Sequence, residues 1–126
     1  MTRTTADLRD YLDAIDLCYF GGQLDDLGVE IRWMRARDRV PRVGQYWHDT
    51  KTIEVARVLA DTRVPLFYVL FVIYHECLHA HLGPASDKHG ELFRMFEGRF
   101  LQIADVHAWE RSTETKPWPP APKGIR

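Results

Sequence analysis

An α+β domain is the fold class this sequence predicts: a small three-stranded antiparallel sheet packed on a central helix and two further helices. Three observations predict it. Apolar residues recur at helical spacing in 5–19 and again after 89. Three short segments, 29–34, 43–48 and 52–57, read as strands. Between them and the last helix, an apolar run at 65–74 leads into the string His75-Glu76-Cys77-Leu78-His79. The chain has 126 residues, 45% of them apolar, and four tryptophans, enough for one domain with a core. Its formal charge of −1 gives no general basic field, so net charge does not indicate nucleic acid.

In the first helix, Leu8, Tyr11, Leu12, Ile15, Cys18 and Tyr19 form one stripe. Thr5 suits its N-cap and Gly21-Gly22 its exit. Cys18 on that stripe is expected in the core. Val29, Ile31 and Trp33 alternate with Glu30, Arg32 and Met34, a half-buried strand. Val43–His48 and Thr52–Arg57 form a hairpin across Asp49-Thr50-Lys51. Pro65 suits the first position of the next helix and Gly83-Pro84 its end. That helix is apolar all round, so it is expected to be buried, and Cys77 on it to be a packing residue. The run is short of the roughly 20 apolar residues a membrane span needs, so no membrane is expected as a partner. A last helix is expected from about 89 to 109, with Leu92, Phe93, Phe96, Phe100, Ile103 and Val106 on one face, weakened but not broken by Gly98. Residues 1–111 are thus the domain, and 112–126, with four prolines, an extended or disordered tail.

Each helical residue turns by about 100°, so His75 and His79 lie one turn apart on one face and can grip one metal ion. Glu76 lies beside the pair, placed to act on a water rather than as a ligand. Two imidazoles and an adjacent carboxylate base suit metal-assisted hydrolysis, with Zn2+ the expected ion. A catalytic zinc takes a third protein ligand. His81 would face the opposite side of the helix. His89 follows a loop, 83–88, that lets the chain turn back, and opens the next helix with Ser86 or Asp87 as N-cap. It is the preferred third ligand, with Glu91 and Glu97 as the alternatives.

His75-Glu76-x-x-His79 followed by His89-Gly90-x-x-Phe93 resembles the SprT-like (Spartan-type) zinc metallopeptidase domain. Phe20-Gly21-Gly22-x-Leu24, Val43-Gly44-Gln45-Tyr46 and Thr52-Ile53-Glu54-Val55 are similar to its other motifs, so the resemblance covers roughly residues 5–105. It implies a zincin-like fold, endopeptidase activity on a protein or peptide, His75, His79 and His89 as zinc ligands, and Glu76 as general base. Many SprT-like proteins carry a C-terminal Cys-rich zinc ribbon. With only Cys18 and Cys77 and no C-x-x-C, this sequence is expected to be a minimal form without it. The two cysteines fit a reducing interior, and no signal segment is visible, so a cytoplasmic location is expected.

Either hairpin strand can offer an edge to an extended substrate. Tyr46, His48 and His107 are candidate donors to a developing oxyanion. Arg32, Arg35, Arg37, Arg39 and Arg42 form one basic cluster, read either as a solvated loop or as a local phosphate or acidic-peptide contact. Two rivals to a peptidase share the same residues. One is a hydrolase of another amide. The other is a binding module in which zinc only staples the fold.

Overall fold

The protein is described from a computed structural model that covers residues 2–35 and 42–115. Helix α1 (Thr5–Ile15) starts at a capping box. The Thr4 hydroxyl accepts from the Asp7 amide at 3.1 Å, and the Asp7 carboxylate accepts from the Thr4 amide at 2.7 Å. Thr4, not Thr5, is therefore the cap. Leu8, Leu12 and Ile15 bury the apolar stripe. The helix then widens into a π turn, Asp16–Phe20. The wider turn changes which residues face inward: Asp16 is buried, and Tyr19 still packs on Tyr74. Asp16 points inward and accepts from the amides of Leu24 and Asp25, both at 2.9 Å, which starts the short helix α2 (Gln23–Asp26). Cys18 is exposed, against the expectation that it sits in the core.

The sheet is three-stranded but mixed, which corrects the antiparallel expectation. Strands β1 (Glu30–Trp33), β2 (Gly44–Trp47) and β3 (Thr52–Val55) lie in the order β1-β3-β2. The tight turn at 48–51 makes β2 and β3 antiparallel, while β1 runs parallel to β3 on its other side. Alternation marks the face a residue takes; it carries no information on which neighbour a strand has or in which direction. Central β3 is buried at all four positions, as a strand covered on both sides must be. Ile31, Ile53 and Tyr46 align across the sheet, and so do Trp33, Val55 and Gly44. These two rows form the face that meets the central helix.

That helix, α3 (Leu66–Leu82), follows Pro65 and stops at Gly83, whose φ of 84° suits a residue without a Cβ. It is the buried central helix the sequence predicts, covered from Tyr68 to His79 except at half-buried Leu70. Val69, Val72, Ile73 and Leu78 are fully buried, each contributing about 1.5–3 kcal/mol of transfer free energy. Cys77 is buried among them. No helix among the described residues is long and apolar enough to cross a membrane.

The expected single helix 89–109 is two. Helix α4 (Glu91–Glu97) begins at Gly90, not at Ser86 or Asp87. Helix α5 spans Ile103–Thr115. Gly98 ends α4, and the bend between them swings Phe100 onto Tyr19, Phe71 and Tyr74, ring centroids 5.5–5.9 Å away. A straight helix would hold Phe100 to the stripe of Phe93 and Phe96; the aromatic contacts to Tyr19 and to α3 win. Helix α5 takes in residues 112–115 that the sequence assigns to the tail, and 116–126 lie outside the described residues.

Candidate metal centre

Helix α3 stacks His75 and His79 one turn apart, with ring centroids 5.1 Å from each other. After Gly83 the chain forms a 3-10 turn, Pro84–Lys88, and His89 itself takes a left-handed backbone, φ 49° and ψ 48°. That conformation is uncommon for a residue with a Cβ and marks a place where the surroundings fix the backbone. It brings the His89 ring back to 5.0 Å from His75 and 4.9 Å from His79. One nitrogen from each of the three rings lies within 4.8 Å of the others, so the cluster can hold a metal ion. Phe93, in the first turn of α4 and buried, packs its ring at 4.7–4.8 Å from all three and keeps their shared side apolar.

Hydrogen bonds behind the rings orient them. His75 Nδ1 is 2.6 Å from Glu97 Oε2. His79 Nδ1 is 2.9 Å from Ser86 Oγ, which donates its one hydrogen to the Gly83 carbonyl at 2.5 Å. Ser86 must then accept from His79 Nδ1–H. So placed, His79 carries its hydrogen on Nδ1 and turns the Nε2 lone pair inward, the arrangement a ligating imidazole needs.

Three observations test whether a metal fits. His79 Nε2 and His89 Nε2 are 3.1 Å apart, near the roughly 3.3 Å that two nitrogens take on a tetrahedral zinc with bonds of about 2.05 Å. Two nitrogens this close need a proton or a cation between them. Among the described residues, His75 Nε2 is buried with no hydrogen-bond partner. Both oxygens of Glu76 are buried without one as well, and the residue is 0% exposed. Burial pushes the Glu76 carboxyl well above the usual carboxylate range, and Asp87 and Glu97 add to the shift. A neighbouring dication would reverse that bias. Burial holds His79 down at about 3, with His75 and His89 adding, and burial followed by His75 lowers His89. Neutral imidazole is the ligating form, so both are ready at neutral pH. The residues fit a divalent ion bound through nitrogen.

Of the alternative third ligands, Glu97 stands behind His75, and exposed Glu91 lines a separate groove with Leu82, Ala85 and Leu92. His81 is exposed on the far side of α3, against Phe20. A cleft of about 330 Å3 opens on His79 and His89, lined also by Gln45, Tyr46 and Asp87. Burial raises the Tyr46 hydroxyl's pKa, with Cys77 adding. His48 pairs with Asp87 at 3.0 Å on the rim of this cleft. His107 lines a second cavity of about 320 Å3, with Phe71, His75, Arg94 and Glu97. Arg32 bonds Glu54 at 3.0 Å and Arg42 bonds Gln45 at 3.1 Å; Arg37 and Arg39 lie outside the described residues.

The sequence shows Gly44 only as part of a strand motif, not why it must be glycine. A Cβ there would stand 2.8 Å from Val72 Cγ1 and 2.9 Å from Glu76 Oε2, so only glycine lets β2 press onto the Glu76 turn of α3. The sequence suits Ser86 or Asp87 as a helix cap, whereas Ser86 holds His79. Comparison with protein families, with characterised proteins and with solved structures finds no match for this chain.

Proposed function

We propose that this chain is a zinc-dependent metallopeptidase, zincin-like and of the SprT-like kind, cutting peptide bonds within an extended substrate. The observation that carries the reading is the partnerless buried Glu76 carboxylate on the turn of α3 that bears two of the three clustered histidines. A purely structural metal site needs no carboxylate there. His75, His79 and His89 would hold the ion. A bound zinc supplies Lewis acidity toward a carbonyl and makes a nearby water more acidic.

The protein's own groups account for the rest of the reaction. Glu76 takes a proton from the attacking water and passes it to the leaving amine, a role worth about 10²–10⁴ in rate. Tyr46 keeps its proton to high pH and lines the cleft that opens on His79 and His89, so we assign it as donor to the developing oxyanion. Among the described residues β2 has a strand neighbour on one side only, and Gln45 and Tyr46 from it line the cleft. An extended peptide can pair with that free edge through main-chain groups, largely whatever its sequence.

One observation favours the rival staple reading: Glu76 is fully covered in the protein. The experiment compares wild type with Glu76→Gln for zinc content and cleavage of unfolded protein substrates. The peptidase reading expects both to carry zinc and only wild type to cut. Equal cleavage by the two removes Glu76 as base. Zinc binding with no cleavage by wild type supports the binding module, and cleavage confined to small amides supports the other hydrolase.

A further inference from the structure

We infer that Glu97 is a positioning residue, which locks His75 in its metal-binding tautomer from behind and is not itself a ligand. The inference rests on the reading of the three histidines as a metal site. Glu97 Oε2 lies 2.6 Å from His75 Nδ1, a short hydrogen bond. An imidazole has two nitrogens. With Nδ1 held by the carboxylate, Nε2 is the one left to face the cluster, and it is the atom that is buried without a partner. A ligating role for Glu97 would break this bond and release the ring.

The placement of Glu97 is built into the packing. It is the last residue of α4, and the preceding residue is tied directly to α3: the Tyr74 hydroxyl donates to the Phe96 carbonyl at 2.5 Å. Phe93, one turn earlier on α4, packs against the same ring of His75. So α4 grips α3 at adjacent residues, Tyr74 and His75, through a hydroxyl and a carboxylate. The His75 side chain is 5% exposed and that of Glu97 is 27% exposed. Water can reach the carboxylate far more readily than the imidazole, so the ring relies on Glu97 for its Nδ1 hydrogen bond. His79 has a neutral counterpart in Ser86, held in turn by the Gly83 carbonyl. Truncating a partner of this kind typically weakens metal binding by about 10–100-fold.

Two measurements on the metal-free, full-length protein test this. The first is zinc affinity, by competition with a chelating dye, for wild type, Glu97→Gln, Glu97→Ala and His75→Ala. Glu97→Ala should bind about 10–100-fold more weakly than wild type, and Glu97→Gln, which keeps an acceptor oxygen, should lose less. Affinity equal to wild type in Glu97→Ala overturns the inference. A loss as large as that of His75→Ala also overturns it, by marking Glu97 as a ligand. The second is the 15N shift pattern of the His75 ring in wild type, which should show hydrogen on Nδ1. Hydrogen on Nε2 refutes the assignment, and this result decides even if Glu97→Ala does not fold. Wild type that binds no zinc sinks the proposed function and leaves the tautomer measurement to judge Glu97.

Discussion

Gly44→Ala is the substitution that most sharply probes how β2 presses on the site. The glycine has no positive φ, so alanine suits its backbone and only space is at issue. The new Cβ would stand 2.8 Å from Val72 Cγ1 and 2.9 Å from Glu76 Oε2. Ordinary contacts between such atoms are about 3.5–4.0 Å, so the neighbours must yield by roughly 0.6–1.2 Å. Overpacking of this degree in a well-packed core costs about 1–3 kcal/mol. Val72 is fully buried and one branch of it meets the sheet; Glu76 is the longer side chain and gives more readily. A catalytic group displaced by about 1 Å can lose on the order of 10²-fold in rate. The imidazoles of His75 and His79 stay where α3 holds them, so zinc binding should persist. Urea unfolding, zinc content and kcat/KM on a fluorogenic peptide read the three quantities separately. We expect lower stability, unchanged zinc and a loss of about 10²-fold in kcat/KM. Adding Val72→Ala should recover stability more than activity, because it relieves one contact and leaves the other. Wild-type stability and rate in Gly44→Ala would refute the close approach of β2 to Glu76.

The remaining predictions concern pH and the groups behind the ligands. The pKa of His79 is lowered in the folded state to about 3, so between that value and its ordinary 6.5 the unfolded chain binds more protons. Stability of the metal-free protein should therefore fall as pH drops through this window, read by thermal unfolding; a flat profile counts against the buried neutral imidazole. Glu76 has the opposite sign. Its raised pKa favours the folded, metal-free state at low pH, and that contribution is lost as pH rises through the folded value. Zinc should remove this alkaline loss, so the rise in Tm on adding zinc should grow from pH about 5 to about 7.5, as protons stop competing for the ligands; a rise independent of pH contradicts it. Ser86→Ala takes the 2.9 Å acceptor from the buried His79 N–H and leaves it Asp87 Oδ1 at 3.4 Å, so it should cost about 0.5–1.5 kcal/mol, measurable by urea unfolding without zinc.

The histidine cluster was more legible in the sequence than the sheet's architecture was. His75 and His79 are tied by helical geometry alone, and the Gly-Pro loop at 83–84 lets the chain turn back so that His89 joins them. The burial of α3 follows from its all-round apolar composition. Strand direction was not legible: Ile31 and Trp33 alternate in the same way whether β1 runs with or against β3. The π turn hid the exchange of Cys18 for Asp16, because the widened turn carries Cys18 to the surface while Tyr19 still packs on Tyr74 and Phe100. Phe100 has the right spacing for one long helix, and its pull toward Tyr19 and Tyr74 acts across distant sequence. Ser86, Glu97 and Gly44 escaped for the same reason. Each works through a partner seven to thirty-two positions away, and local pattern carries no record of such pairs.

The structure of the zinc-loaded protein tests the central claim most directly. The account predicts one zinc bound by His75, His79 and His89 at about 2.0–2.1 Å, with the Glu76 carboxylate facing a further, open position. An oxygen of Glu91 or Glu97 at about 2 Å with His89 remote, or no ion at all after zinc is supplied, would contradict it.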